Sequence, residues 1–176
     1  IATDTELNEI ESSNQTLLNA AIKRADAALE PDPATVGDFV WPVCEPCEET
    51  VTPAEGESWK LREAINETLH AEFTHNPDTF LWGQDVASKD KGGVFNVTKG
   101  LEAAFGGGRI FNGPIAEDYI VGTANGMSRY KDDIRIVIEA AQFADYIWPA
   151  MEQVVEMTHE YWRTRGQFSP NVTLRL

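Results

Sequence analysis

The sequence predicts an α/β domain: a parallel sheet with helices on both faces, preceded by a separate helical segment. Two observations carry this. From residue 79 onward, short β-branched or apolar runs alternate with helical patterns in the order strand, helix, strand, helix, strand, helix, strand. That order implies parallel strands joined by right-handed crossovers. Residues 31–56, rich in proline and acid with little periodicity, read as a linker between the helical front and the sheet.

In chain order, residues 5–29 form the first predicted helix. Leu7, Ile10, Leu17, Leu18, Ala21, Ile22, Ala25 and Leu29 recur near the 3.6-residue period, and the prolines of "EPDP" (30–33) end it. A second helix starts at Ser58, the expected N-cap, and runs to His75 with Leu61, Ile65, Leu69 and Phe73 on one face. "TFLWGQ" (79–84) reads as a buried strand. "VFNVTKGLEAAF" (94–105) reads as a helix stopped by three glycines, and "RIFN" (109–112) as a short strand. "DIRIVIEA" (133–140) is a β-branched strand. Residues 145–164 form a helix with Ile147, Met151, Val154, Val155, Thr158 and Trp162 inward, which tolerates Pro149 only in its first turn. "NVTLRL" is a last strand.

Between the second and third strands, "NGPIAEDYIVGTANG" (112–126) sets two acids in an apolar run. For a helix starting near Ala116, Glu117 shares a stripe with Ile120, Val121 and Ala124, whereas Asp118 lies about 100° away on the wet side. Glu117 is therefore the inward acid. It either complements the helix dipole or is a buried carboxylate kept for proton handling or ligand binding. Ligands of parallel sheets bind beyond the carboxyl ends of the strands, where residues 112–116 and "AAQFADYIWPA" (140–150) both fall. Gly122 and Gly126, four apart, allow close approach by a neighbouring helix.

Composition narrows the partners. The net charge is −15, with 13 acidic and 3 basic residues in positions 1–60 alone, so nucleic acid and anionic membranes are excluded as partners of the whole surface. No apolar run approaches the roughly 18 residues of a spanning helix, and no signal-like segment is present. The expectation is a cytoplasmic protein. The chain begins at Ile1 rather than Met, which suggests a piece of something longer. Cys44 and Cys47 form a C-x-x-C pair with no second pair to complete a zinc site and acids around it, so a solvated linker is the preferred reading. His70, His75 and His159 have no metal-ligand spacing and read as surface or satisfied side chains. "GGGR" (106–109) follows a helix, so it reads as a C-cap and turn rather than a phosphate cradle.

"WGQDVASKDKGGVFNVTKGLEAAFGGGRIFNGPIAEDYIVGTANGM" followed by "EAAQFADYIWPAMEQVVE" resembles the beta subunit of thiamine-diphosphate-dependent 2-oxo acid dehydrogenases, in order and spacing, over residues 57–176. "QFADYIWPA" is closer to the branched-chain enzymes and does not exclude bacterial pyruvate enzymes. "KRADAALEPDP" is similar to the C-terminus of the alpha subunit, which suggests a fused alpha–beta chain. The domains implied are 1–30 (alpha-like helix), 31–56 (linker) and 57–176 (a transketolase-like pyrimidine-binding domain, incomplete at its C-terminus). The resemblance implies that Glu117 hydrogen-bonds the cofactor's aminopyrimidine and favours the tautomer that activates the thiazolium carbon. It places Ile115 against the pyrimidine, Gln142 and Tyr146 in contact with the ring, and Phe143 behind them. Thiamine diphosphate would be the cofactor, with magnesium and diphosphate held by an absent alpha half. The implied partners are that alpha half, a lipoyl-bearing acyltransferase core and a small 2-oxo acid, in a homodimer of fused chains or a heterotetramer. Two positions depart from the family: Gln84 stands where it usually has glutamate, and Gly113 where it usually has threonine before proline. The rival readings are a flavodoxin-like binding module and a non-catalytic interaction domain.

Overall fold

The structure is a computed structural model that describes residues 2–40, 55–56, 58–88, 91–140 and 144–176. It divides into two compact units, Ile1–Gly37 and Asp38–Leu176. Cys44, Cys47, Gln142 and Phe143 lie outside the described residues.

The first unit holds α1 (Asp4–Asp26) and a 3-10 turn, Pro33–Thr35. Thr3 and Glu6 close a reciprocal cap at the start of α1, with Glu6 Oε2 accepting from the Thr3 N–H at 2.7 Å. The helix ends at Asp26, three residues short of the expected Leu29, which is 95% exposed. The prolines at 31 and 33 disfavour helical geometry in the residues before them, so the last turn is lost before "EPDP" is reached.

The second unit is a four-stranded parallel sheet in the order β2-β1-β3-β4: β1 (Thr79–Gly83), β2 (Ile110–Asn112), β3 (Arg135–Glu139) and β4 (Val172–Arg175). Alternation along the strands sends side chains to two apolar layers. Phe80, Trp82, Ile136 and Ile138 meet Ile120, Val121 and Ala124 of α4 (Glu117–Ser128) on one face. On the other, Leu81, Ile110 and Val137 meet Leu69 and Phe73 of α2 (Leu61–His75) and Leu101 of α3 (Leu101–Phe105). Burying each such aliphatic side chain contributes about 1.5–3 kcal/mol. The predicted parallel sheet with helices on both faces is what forms.

Four local expectations are corrected. Helix α2 begins after Lys60 rather than Ser58; the Glu63 carboxylate returns to the Lys60 N–H at 3.2 Å and caps the end in place of a serine. Leu61, expected on its inner face, is 77% exposed, and the helix's packed apolar side chains begin at Ile65. The helix expected over 94–105 is only its last five residues. Gly92, Gly93, Asn96 and Gly100 all have positive φ, so the backbone coils through turns instead, held by Thr98 Oγ1 donating to the Val86 carbonyl at 2.7 Å.

The last expected helix is split by Pro149, into a 3-10 segment (Ala144–Ala150) and α5 (Met151–Arg163). A 3-10 turn advances about 120° per residue against 100° for an α-helix, which rotates the stripe. Ile147, Ala150, Met151, Val154 and Met157 pack inward. Val155 and Trp162 are 44% and 43% exposed and Thr158 is exposed, while Glu160 is buried, paired with Arg129 and 3.6 Å from Arg163.

Candidate functional site

The carboxyl ends of β1, β2 and β3 converge at one edge of the sheet. Gly83 pairs with both Asn112 and Glu139. A Cβ on Gly83 would lie 2.1 Å from the Glu139 carbonyl oxygen, so glycine is required for β1 and β3 to close. The ladder continues past the strand ends, with Gly113 N–H donating to Gly83 O at 2.8 Å and Gln84 N–H to Glu139 O at 3.2 Å. Asn112 ties in the next loop: its Oδ1 accepts from the Ala87 N–H at 2.8 Å and its Nδ2 donates to the Ala87 carbonyl at 3.2 Å.

From this edge the chain turns into α4. Ala116 N–H donates to Pro114 O at 2.8 Å, and Ile120 N–H donates to Ala116 O at 3.0 Å to open the helix. Ala116 has no side-chain acceptor, so the first-turn N–H groups are uncapped and favour a negative charge. Glu117 occupies that first turn. It is half-buried and Asp118 is exposed, as the helical phase predicts. Glu117 Oε1 accepts a 2.7 Å hydrogen bond from Gln84 Nε2, while Oε2 accepts none from the described residues. Among the described residues, one oxygen is held and the other has no partner.

The remaining expected site residues are placed differently. Ile115 stands just before α4 and is 84% exposed. Tyr146, 51% exposed, lies on the 3-10 segment that packs against α4. Glu117 and Ile115 thus stand together where β2 hands over to α4; Gln142 and Phe143 belong to the undescribed stretch between β3 and the 3-10 segment.

Gln84, singled out from sequence only as a departure from the family pattern, is bonded here to an acid 33 residues away. Glu139, the last residue of β3 and 1% exposed, was not singled out from sequence. Its Oε2 lies 2.7 Å from Arg175 Nη1, without hydrogen-bond angles, and its Oε1 has no partner among the described residues. Burial raises the Glu139 carboxyl above the usual range, and Arg175 partly opposes this. Glu139 ends β3 and Gln84 follows the last residue of β1, so the rule that selected residues 112–116 would have found them.

Residues 57–166 match the transketolase pyrimidine-binding domain. The chain belongs to that family. Among characterised proteins the pyrimidine-binding domain is similar to 2-oxoisovalerate dehydrogenase subunit beta 2, mitochondrial, of Arabidopsis thaliana, at 39% identity over 65% of this chain and 30% of the relative. It is 36% identical to the 2-oxoisovalerate dehydrogenase subunit beta of Pseudomonas aeruginosa, over 68% of this chain and 33% of the relative. It is 37% identical to the pyruvate dehydrogenase E1 component subunit beta of Acholeplasma laidlawii, over 66% and 34%. The chain spans about a third of the length of the curated relatives it matches. A carboxylate with one oxygen held and one unpartnered among the described residues has the acceptor chemistry that an aminopyrimidine edge calls for. Among the described residues no group of three His, Cys, Asp or Glu side chains could hold a metal ion.

Proposed function

We propose that this chain is the pyrimidine-binding part of the decarboxylating component of a 2-oxo acid dehydrogenase complex, acting on a branched-chain 2-oxo acid. The observation that carries the proposal is the Glu117 oxygen that accepts no hydrogen bond from the described residues, on a half-buried side chain at the carboxyl edge of the sheet beside an uncapped helix start. Thiamine diphosphate, when bound, supplies the carbanion-stabilising chemistry for decarboxylation. Glu117 would accept the pyrimidine's proton-bearing edge and hold that proton at Oε2. Ile115 and Tyr146 would cover the ring's faces and exclude water. Gln142 would add a hydrogen bond and Phe143 would support it. An alpha half would hold the diphosphate and magnesium, and a lipoyl-bearing acyltransferase core would receive the acyl group. The functional unit would be a homodimer of fused chains or a heterotetramer.

The test is Glu117→Gln in the full-length protein with its alpha partner. Thiazolium C2-proton exchange and decarboxylation should fall together, by about 10²–10⁴-fold. Unchanged turnover would sink the assignment and leave a binding or interaction domain of the same shape. Pyruvate is the second substrate reading, supported by the 37% identity to the Acholeplasma laidlawii relative. The ratio of kcat/KM for 3-methyl-2-oxobutanoate and pyruvate decides between them.

A further inference from the structure

We propose that Gln84 is a positioning residue that assigns separate tasks to the two oxygens of Glu117; this rests on the reading of Glu117 as the pyrimidine acceptor. A glutamate has three rotatable bonds, and its carboxylate oxygens are chemically equivalent until something distinguishes them. Left alone in the first turn of α4, it would lose rotamer freedom on engaging a ligand. Gln84 removes much of that loss in advance. Its backbone is anchored where β1 ends, with its N–H on the Glu139 carbonyl at 3.2 Å, and its side chain spans to α4. The Nε2 to Oε1 distance of 2.7 Å is that of a charge-assisted hydrogen bond. Oε1 is thereby committed, and Oε2 becomes the oxygen that meets the ligand.

The choice of an amide matters. Glutamine offers an N–H donor at every pH and carries no charge. A carboxyl in its place could donate only while protonated. Once ionised, it would set two like charges at hydrogen-bond distance, and the pair would either share a proton or separate. Gln84 therefore supplies a donor that does not depend on its own protonation.

Two measurements test this. In the ¹⁵N-labelled chain without cofactor, the Gln84 side-chain amide protons should be displaced from solvent-exposed values and should move to them in Glu117→Ala. An amide resonance indifferent to that substitution overturns the proposal. In the full-length protein, calorimetric binding of thiamine diphosphate should weaken about tenfold in Gln84→Leu. Native affinity in Gln84→Leu would overturn the proposal. The failures are separable: Glu117→Gln with full turnover removes the enzymatic reading, whereas an unmoved amide removes only the positioning role.

Discussion

At the scale of single residues, Arg109 shows how much one side chain can organise. Its Nη2 donates to the Phe73 carbonyl at 3.1 Å and the Asn76 carbonyl at 2.7 Å, and its Nε to the Thr79 carbonyl at 3.0 Å. Its guanidinium lies 4.7 Å from the centre of the Phe73 ring. These carbonyls belong to the end of α2 and the start of β1, so a cation there also complements the helix dipole. Lysine cannot reproduce a planar fork, and Arg109→Lys should lower stability by about 2 kcal/mol in denaturant unfolding. It should leave the site unaltered, because Arg109 precedes β2 at the opposite edge of the sheet. Glu139 makes a pH-dependent contribution. Its carboxyl is raised by burial, so the folded chain holds that proton more tightly than the unfolded chain, where glutamate titrates near about 4.3. The stability tied to this proton is complete below that value and is lost as pH rises through the folded value. The Tm of Glu139→Gln relative to native should climb with pH above about 4.3 and then level off. A difference that stays flat across that window would contradict the assignment of Glu139 as a strained, buried acid.

At the scale of elements, helix α4 reads well from sequence because its apolar stripe and its acid share one period. The glycine pair predicted to admit a neighbour divides in the structure. A Cβ on Gly122 would come within 3.3 Å of Gln153 Oε1 on α5, whereas one on Gly126 would meet nothing within 4 Å. Gly126→Ala should therefore stabilise by about 0.5–1 kcal/mol through helix propensity alone. Gly122→Leu should destabilise by about 1–3 kcal/mol by forcing α4 and α5 apart. Thermal unfolding of both variants checks the pair, and equal shifts would refute the close-approach argument. The segments that differed from expectation are those where local chemistry outweighs period. Residues 94–100 carry apolar side chains at helical spacing, yet Asn96 and the flanking glycines adopt positive φ. At 144–150, Pro149 converts the expected first turn to 3-10 and rotates the following stripe.

At the scale of the whole chain, a net charge of −15 opposes compaction. The ion pairs of Lys131 with Asp78 and Asp133, and of Arg163 with Glu156, are exposed or half-exposed, where each contributes about 0–1 kcal/mol. Repulsion should therefore outweigh pairing. Raising salt from 10 to 200 mM should increase Tm, since screening acts on the larger, repulsive sum. A fall in Tm would mean that the ion pairs dominate. The fold class was legible at this scale because strand–helix alternation leaves few topologies open. So was the edge that holds the site, since strand ends are countable in the sequence.

By itself the sequence determined the parallel α/β architecture, the inward phase of Glu117 and the position of its helix at a strand's carboxyl end. These follow from period and order, which are local. Only the tertiary structure decided that Gln84 grips Glu117, that Glu139 is sealed beside Arg175, and that Met157 rather than Thr158 faces the core. Each depends on which strands become neighbours and how far a turn rotates the chain after it. Those are properties of the closed sheet, and no spacing along the chain carries them.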